Sequence, residues 1–240
     1  MIPNKRFVEA LSNPYFSSEG ALSKDVWLCG IEPGLDKSTS VDEYHQRFES
    51  SMLIKDEPHK SYEWKESFTY PFGQKFGWFY QSLLGKNPRK YRDLEKIEAR
   101  VFKTNLYPLP FPDVSMEHWN TWKLSEITGL SNKAHYQLLC EKTRFKAYSE
   151  GIGKHEPKVI FCFGHSFLMD TIRCFGSYQN IKLINTYNVD EVKLFQVTFE
   201  NIQTQLWVLP FLGHTQGTLN SYDIVQKTAQ FVLKSSALKF

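Results

Sequence analysis

Val26-Trp27-Leu28-Cys29-Gly30-Ile31-Glu32-Pro33-Gly34 is the stretch whose reading decides the fold. An apolar run of strand length stops abruptly in Gly-Ile-Glu-Pro-Gly. A strand buried on both faces reads as such an unbroken run, and the Pro-Gly pair marks a tight, rigid loop. In open α/β sheets, ligands bind just beyond the carboxyl ends of such strands. The segment therefore predicts a parallel sheet, and it places one acidic side chain, Glu32, where chemistry would occur.

Two further segments share this character. Ala99-Arg100-Val101-Phe102-Lys103-Thr104-Asn105-Leu106 runs into Tyr107-Pro108-Leu109-Pro110-Phe111-Pro112, whose prolines cannot donate to a ladder. Pro157-Lys158-Val159-Ile160-Phe161-Cys162-Phe163-Gly164 closes on a glycine before a helix predicted over 166–175. Helices are also predicted over 4–12, 74–84, 133–149 and Asp223–Lys234. In 74–84, Phe76, Phe79, Tyr80, Leu83 and Leu84 share one face, and Gly85 supplies the stop. In 133–149, Ala134, Leu138, Phe145 and Tyr148 fall in register, and in the last helix Ile224, Thr228, Phe231 and Val232 do. Lys182–Asn185 reads as a short fourth strand, and 192–199 with 204–210 as a hairpin around Glu200-Asn201. Residues 35–69 are polar and form a long excursion with a helix near Val41–Phe48. Apolar strands alternating with helical patterns predict a three-layer α/β/α fold around a mostly parallel four-stranded sheet. The whole chain, 1–240, reads as one domain, with 35–69 as an insertion or long loop.

Composition narrows the function classes. With 240 residues, 41% of them hydrophobic, the chain can bury one large core. Basic residues number 29 against 26 acidic, a net charge of +3, which permits nucleic-acid binding without requiring it. The four cysteines are scattered with no Cys-x-x-Cys pair, so neither a zinc site nor an iron–sulfur cluster is predicted, and no metal or other cofactor is expected. Cys29 and Cys162 sit in strand-like runs and read as buried free thiols. The amino-terminal segment has no apolar core of signal-peptide length, and no apolar run approaches a membrane span. The expectation is a soluble cytoplasmic monomer without membrane contact, nucleoid-associated in a bacterium or nuclear in a eukaryote.

Polar residues stand where the strands stop: Glu32 after the first, Asn105 at the end of the second, His214 after the last. Strand-end loops of one sheet can converge, offering a carboxylate, an amide and an imidazole. Tyr70-Pro71-Phe72-Gly73 adds an aromatic ring in a constrained loop before a helix. Each residue also has an ordinary reading. Glu32 can cap a helix after the turn, Asn105 can form a turn before the prolines, His214 can lie on a surface loop, and Phe72 can be core. Their order and placement, taken together, support the functional reading.

Gly30-Ile31-Glu32-Pro33-Gly34, Pro71-Phe72-Gly73, Thr104-Asn105-Leu106-Tyr107-Pro108-Leu109 and Gly213-His214-Thr215 together resemble the uracil-DNA glycosylase superfamily. The nearest flavour is the single-strand-selective monofunctional type and its mismatch-specific relatives. The resemblance spans most of the chain in the correct order. It implies that Glu32 positions the attacking water, that Phe72 stacks on the flipped base, and that Asn105 reads the uracil edge. It implies that His214 stabilises the departing base, and that Gly30, Ile31 and Gly34 line the base pocket. Gly34 stands where other branches place a tyrosine against the methyl of thymine. Thr215, Gln216 and Leu219 fall in the loop that contacts DNA, with Leu219 the apolar wedge. Here His214-Thr215-Gln216 replaces the family's His-Pro-Ser. Lys37, Lys103, Ser38 and Thr39 are candidate phosphate contacts.

The residue types suit the chemistry. Breaking an N-glycosidic bond builds positive charge on the sugar and negative charge on the base. A carboxylate can orient water, and an imidazole donor can stabilise the anion where it develops. An Asn amide can donate to O4 and accept from N3–H, which separates uracil from cytosine. The base must leave the stack, and an aromatic ring offsets part of that cost. The expected function is hydrolysis of uracil or a related damaged pyrimidine from DNA, without strand cleavage. The alternative is an inactive module of the same fold that holds nucleic acid or a free base, and a third reading is a hydrolase of small nucleosides.

Overall fold

Helices pack on both faces of a six-stranded sheet in a computed structural model that describes residues 2–52, 71–87, 100–176, 181–213, 217–236 and 238. The strands are β1 (Val26–Gly30), β2 (Val101–Asn105), β3 (Val159–Phe163), β4 (Ile181–Val189), β5 (Val192–Phe199) and β6 (Gln205–Leu209). Their order is β2-β1-β3-β6-β5-β4. The first four positions are parallel, and the last two strands join antiparallel. The expected four-stranded sheet is thus corrected to six. The expected fourth strand, Lys182–Asn185, lies in β4, which with β5 extends the sheet through antiparallel pairings.

β1 and β3 are buried at all five positions, as continuous apolar runs require when helices cover both faces. Alternate residues serve separate cores. Trp27 and Cys29 pack with α1 (Lys5–Ser12), α2 (Val41–Ser51) and the helices of residues 133–175. Val26 and Leu28 pack with α3 (Pro71–Leu83) and with the last helix, Tyr222–Ser235. α3 begins at Pro71, earlier than the periodicity predicts, so Phe72 lies in its first turn and not in a preceding loop. Proline suits that position because its missing N–H has no helical partner there. Of the excursion 35–69, the helix near Val41 is present and runs to Ser51, while 53–70 lies outside the described residues.

The segment expected as one helix over 133–149 is broken in phase. α4 (Lys133–Cys140) passes through a π-helical turn, Glu141–Phe145, into α5 (Lys146–His155). Ala134 and Leu138 face outward, while Lys133, Tyr136 and Cys140 face the core. Arg144, four residues past Cys140, continues that buried face, and Phe145 and Tyr148 are buried after the π turn, which adds a residue to the helical repeat.

Arg144 is wholly enclosed. Its guanidinium donates to Phe16 O at 2.9 Å, Asn105 O at 3.1 Å, Thr104 Oγ1 at 2.9 Å and Ser18 Oγ at 3.2 Å, and it lies 4.9 Å from the centre of the Tyr148 ring. Among the described residues it has no carboxylate partner. The Thr104, Ser18 and Tyr148 hydroxyls also bond one another. This cluster ties the carboxyl end of β2 to the helical layer and to the amino-terminal segment, whose Glu19 pairs with Lys103 along the sheet edge. Gly20 permits that approach, since a Cβ there would meet Val101 O and its φ is +79°.

Arg144→Met would remove four hydrogen bonds from the core, two of them to backbone carbonyls. It is expected to lower unfolding free energy by about 3 kcal/mol or more, read as a fall in the urea midpoint, with Arg144→Lys recovering part of the loss.

Candidate functional site

The order β2-β1-β3 makes the carboxyl ends of β1 and β3 the place where chain connections leave in opposite directions. This is the usual position of a ligand crevice in an open α/β sheet. β1 and β2 continue their parallel pairing beyond the sheet. Leu106 N donates to Gly30 O at 3.0 Å, Tyr107 N to Ile31 O at 2.9 Å, Phe111 N to Pro33 O at 2.9 Å and Leu35 N to Phe111 O at 3.1 Å. The Gly-Ile-Glu-Pro-Gly loop and the proline-rich loop are therefore one zipped unit. Three tyrosines fasten it to the helices: Tyr44 Oη donates to Pro110 O, Leu109 N donates to Tyr136 Oη, and Tyr107 Oη donates to Asp170 Oδ1.

Gly30 and Asn105 are partners in the β1–β2 register. A Cβ on Gly30 would collide with Asn105 Oδ1, so the amide lies directly over the glycine. Asn105 is half-buried, and its side-chain amide has no hydrogen-bond partner among the described residues. Its backbone carbonyl is held by Arg144. Ile31 turns to the other core and fills the space left by Gly164, where a Cβ would sit 2.7 Å from Ile31 Cδ1. Gly34 is exposed, with open space where its Cβ would be.

Glu32 is paired and enclosed. Its side chain is 5% exposed, and Oε2 accepts from Lys133 Nζ at 2.9 Å. Lys133 is fully buried, donates also to Ser115 O at 3.2 Å, and sits 4.0 Å from the centre of the Phe111 ring. Oε1 has no partner among the described residues. Burial pushes the Glu32 carboxyl up to about 7, against the downward pull of Lys133, and Asp113 adds a smaller upward push. The pair divides the carboxylate into one fixed oxygen and one unpartnered oxygen.

Phe72 meets Phe163, at the end of β3, edge-on at 6.0 Å and tilts against Phe211 at 5.8 Å. It thus lies on the sheet face opposite Ile31, packed against the second core. Lys75, one turn along α3, is buried and donates to Gly213 O, and burial lowers its ammonium from the usual range.

The structure thus joins Gly30 to Asn105 and brings Phe72 to the neighbouring strand end. Glu32 is fastened to α4 in the opposite layer, and no hydrogen bond among the described residues links it to Asn105. His214, Thr215 and Gln216 lie outside the described residues. Leu219 is corrected: it is wholly buried in the second core, and its side chain offers no surface to DNA. Lys103 pairs with Glu19 at 3.3 Å, Ser38 bonds Asp36, and Thr39 is buried, whereas Lys37 is exposed. A cavity of about 160 Å³ is lined by Pro33, Leu35, Tyr44, Phe48, Pro108 and Leu109 among others, but not by Glu32, Phe72 or Asn105. Sequence reasoning missed Lys133, Arg144 and Phe211. For the two cations, the signal was their position on a helix face shared with Tyr136 and Tyr148.

No protein-family model matches the chain, and no curated protein matches it in sequence.

Gly30→Ala forces the Asn105 amide out of place, and Gly34→Ala meets nothing within 4 Å. The first is expected to cost about 1–3 kcal/mol in urea unfolding, the second less than about 0.5 kcal/mol.

Proposed function

We propose that the chain is a monofunctional DNA glycosylase of the uracil-DNA glycosylase kind, which hydrolyses uracil or a related damaged pyrimidine from DNA. The observation that carries this reading is the Asn105 amide. It is half-buried, without a partner among the described residues, and laid over a glycine at a strand end. An unpartnered amide in this position can meet a planar ligand edge that offers one donor and one acceptor. Phe72 supplies an aromatic surface at the end of β3, on the far side of β1 from β2, and Gly34 leaves room for a substituent on the base.

In the proposed reaction the C1′–N1 bond breaks and its electron pair leaves with the base. Water held by the free Oε1 of Glu32 adds its oxygen to C1′, and its proton passes to the carboxylate. Asn105 donates to O4 and accepts from N3–H. His214 is assigned to the O2 side, where negative charge develops. Hydrolysis with water as nucleophile leaves an abasic sugar in an intact strand.

One observation favours a second reading, a binding module of the same architecture. Glu32 is engaged by Lys133, which fixes one of its two oxygens and opposes its taking up a proton. Salt-dependent DNA binding without base release would select that reading.

Uracil-containing oligonucleotides are expected to acquire abasic sites without strand cleavage. Inertness toward single strands, U:G pairs, U:A pairs and 5-substituted uracils would overturn the assignment. Glu32→Gln is expected to lower the rate by about 10²-fold or more, and Asn105→Ala to lower it strongly without lowering the melting temperature. The water-holding step needs ionised Glu32, so kcat/KM should rise with pH and level off above about 7. That acid limb should be absent in Glu32→Gln.

A further inference from the structure

Phe211 is 46% exposed, although Leu209 and Leu212 on either side of it are core residues. One exposed aromatic side chain is ordinary on a protein surface. This one is held in place. Its carbonyl accepts two backbone hydrogen bonds, from Gly213 N at 2.9 Å and Leu219 N at 3.0 Å. Its Cδ1 approaches Gly213 so closely that a Cβ there would lie 3.3 Å away. Lys75 of α3 fastens the Gly213 carbonyl, and the buried Leu219 anchors the far side of the loop. The ring tilts against Phe72, with centroids 5.8 Å apart. Phe72 and Phe211 therefore form an aromatic pair at the carboxyl edge of the sheet, the first ring half-buried and the second facing out.

We propose that Phe211 is a base-stacking platform, on which the nucleobase next to the one held over Asn105 rests. The inference deepens the glycosylase reading and rests on it for the identity of the ligand. A nucleobase is the chosen occupant because the platform is a single rigid ring continuous with the Phe72 surface. Stacking on such a ring tolerates any base, since every base presents a π face. The position also accounts for the burial of Leu219. The backbone of Leu219 holds the carbonyl of Phe211, so the inward residue of this pair supports the loop and the outward residue meets the ligand. A base drawn from its stack leaves a gap beside it, and an aromatic side chain is suited to cap the exposed neighbour.

The test uses the full chain and a single-stranded oligonucleotide carrying 2-aminopurine beside 2′-fluoroarabino-deoxyuridine, which resists glycosidic cleavage. Wild-type protein is expected to change the 2-aminopurine fluorescence on binding. Phe211→Ala should lose that change and bind about 5- to 100-fold more weakly, while Phe211→Trp restores both. Phe211→Ala that retains the fluorescence change overturns the proposal. So does restoration by Phe211→Leu as complete as by Phe211→Trp, because that would mark apolar packing, as with a protein partner, in place of stacking. Wild-type protein that does not bind the strand overturns it as well. Uracil release separates the two readings. A fluorescence change that depends on Phe211 without release from a cleavable strand defeats the glycosylase reading alone. Release with Phe211-independent fluorescence defeats the platform alone.

Discussion

The pairing of β1 with β2 past the end of the sheet is the constraint on which the rest depends. Four backbone hydrogen bonds run from Gly30 to Leu35 on one side and from Leu106 to Phe111 on the other. Loops at a sheet edge normally vary because nothing holds their backbone polar groups. Here those groups are satisfied by each other, so Glu32 and Asn105 are presented from a continuation of the sheet. The prolines strengthen this arrangement. Pro108, Pro110 and Pro112 have no N–H to satisfy, and the N–H groups that remain in the segment find acceptors on the Gly30–Leu35 side or on Tyr136. The side chain of Asn105 stays where it is because Gly30 has none.

Two buried cations hold this edge from one helix layer, and they do so differently. Lys133 meets a carboxylate, a carbonyl and an aromatic face, so most of its lost hydration is replaced by a charge partner. Arg144 meets carbonyls, hydroxyls and a ring. Burial of such a charge is costly unless each donor is satisfied, and the fork geometry of guanidinium allows four acceptors to be reached at once. Both cations lie on one helix face, since Tyr136, Cys140 and Arg144 follow Lys133 at successive spacings of three or four residues.

The parallel core was legible because strands covered on both faces must be apolar throughout, as Val26–Cys29 and Val159–Phe163 are. The Gly30 and Asn105 positions were legible for a related reason, since a polar residue or glycine that ends such a run marks the sheet edge. β4 was read as four residues and has nine, because its side chains are largely exposed and its pairing with β5 rests on backbone bonds that leave no apolar pattern. The face of α4 was misread for a physical cause. Its core side carries Lys133, and Arg144 follows on the same side, so apolar periodicity pointed to Ala134 and Leu138 instead. The Glu32–Lys133 pair joins residues 101 positions apart, a distance at which only the fold can bring them together. Leu219 and Phe211 exchange inward and outward roles across a single hydrogen bond that sequence does not reveal.

The charge balance at this edge bears on what it can bind. Lys133 and Arg144 face the β1–β2 ends from the helix layer, and Glu32 is the one carboxylate that an ion pair joins to either of them among the described residues. Ionised Glu32 offsets one cation and leaves the other uncompensated, so the local field favours negative charge at the strand ends. Protonation of Glu32 would leave both cations unopposed, which is why Lys133 resists the upward push of burial on that carboxyl. Preorganised positive charge in a dry environment stabilises an anion without the reorganisation that water requires. A base departing with the electron pair of its glycosidic bond develops such an anion, whereas a neutral ligand gains little from the field. Arg144, reaching the edge through the Asn105 carbonyl, is thus a fixed positive charge behind that residue, and in the proposed reaction it would act on charge as it develops in the ligand.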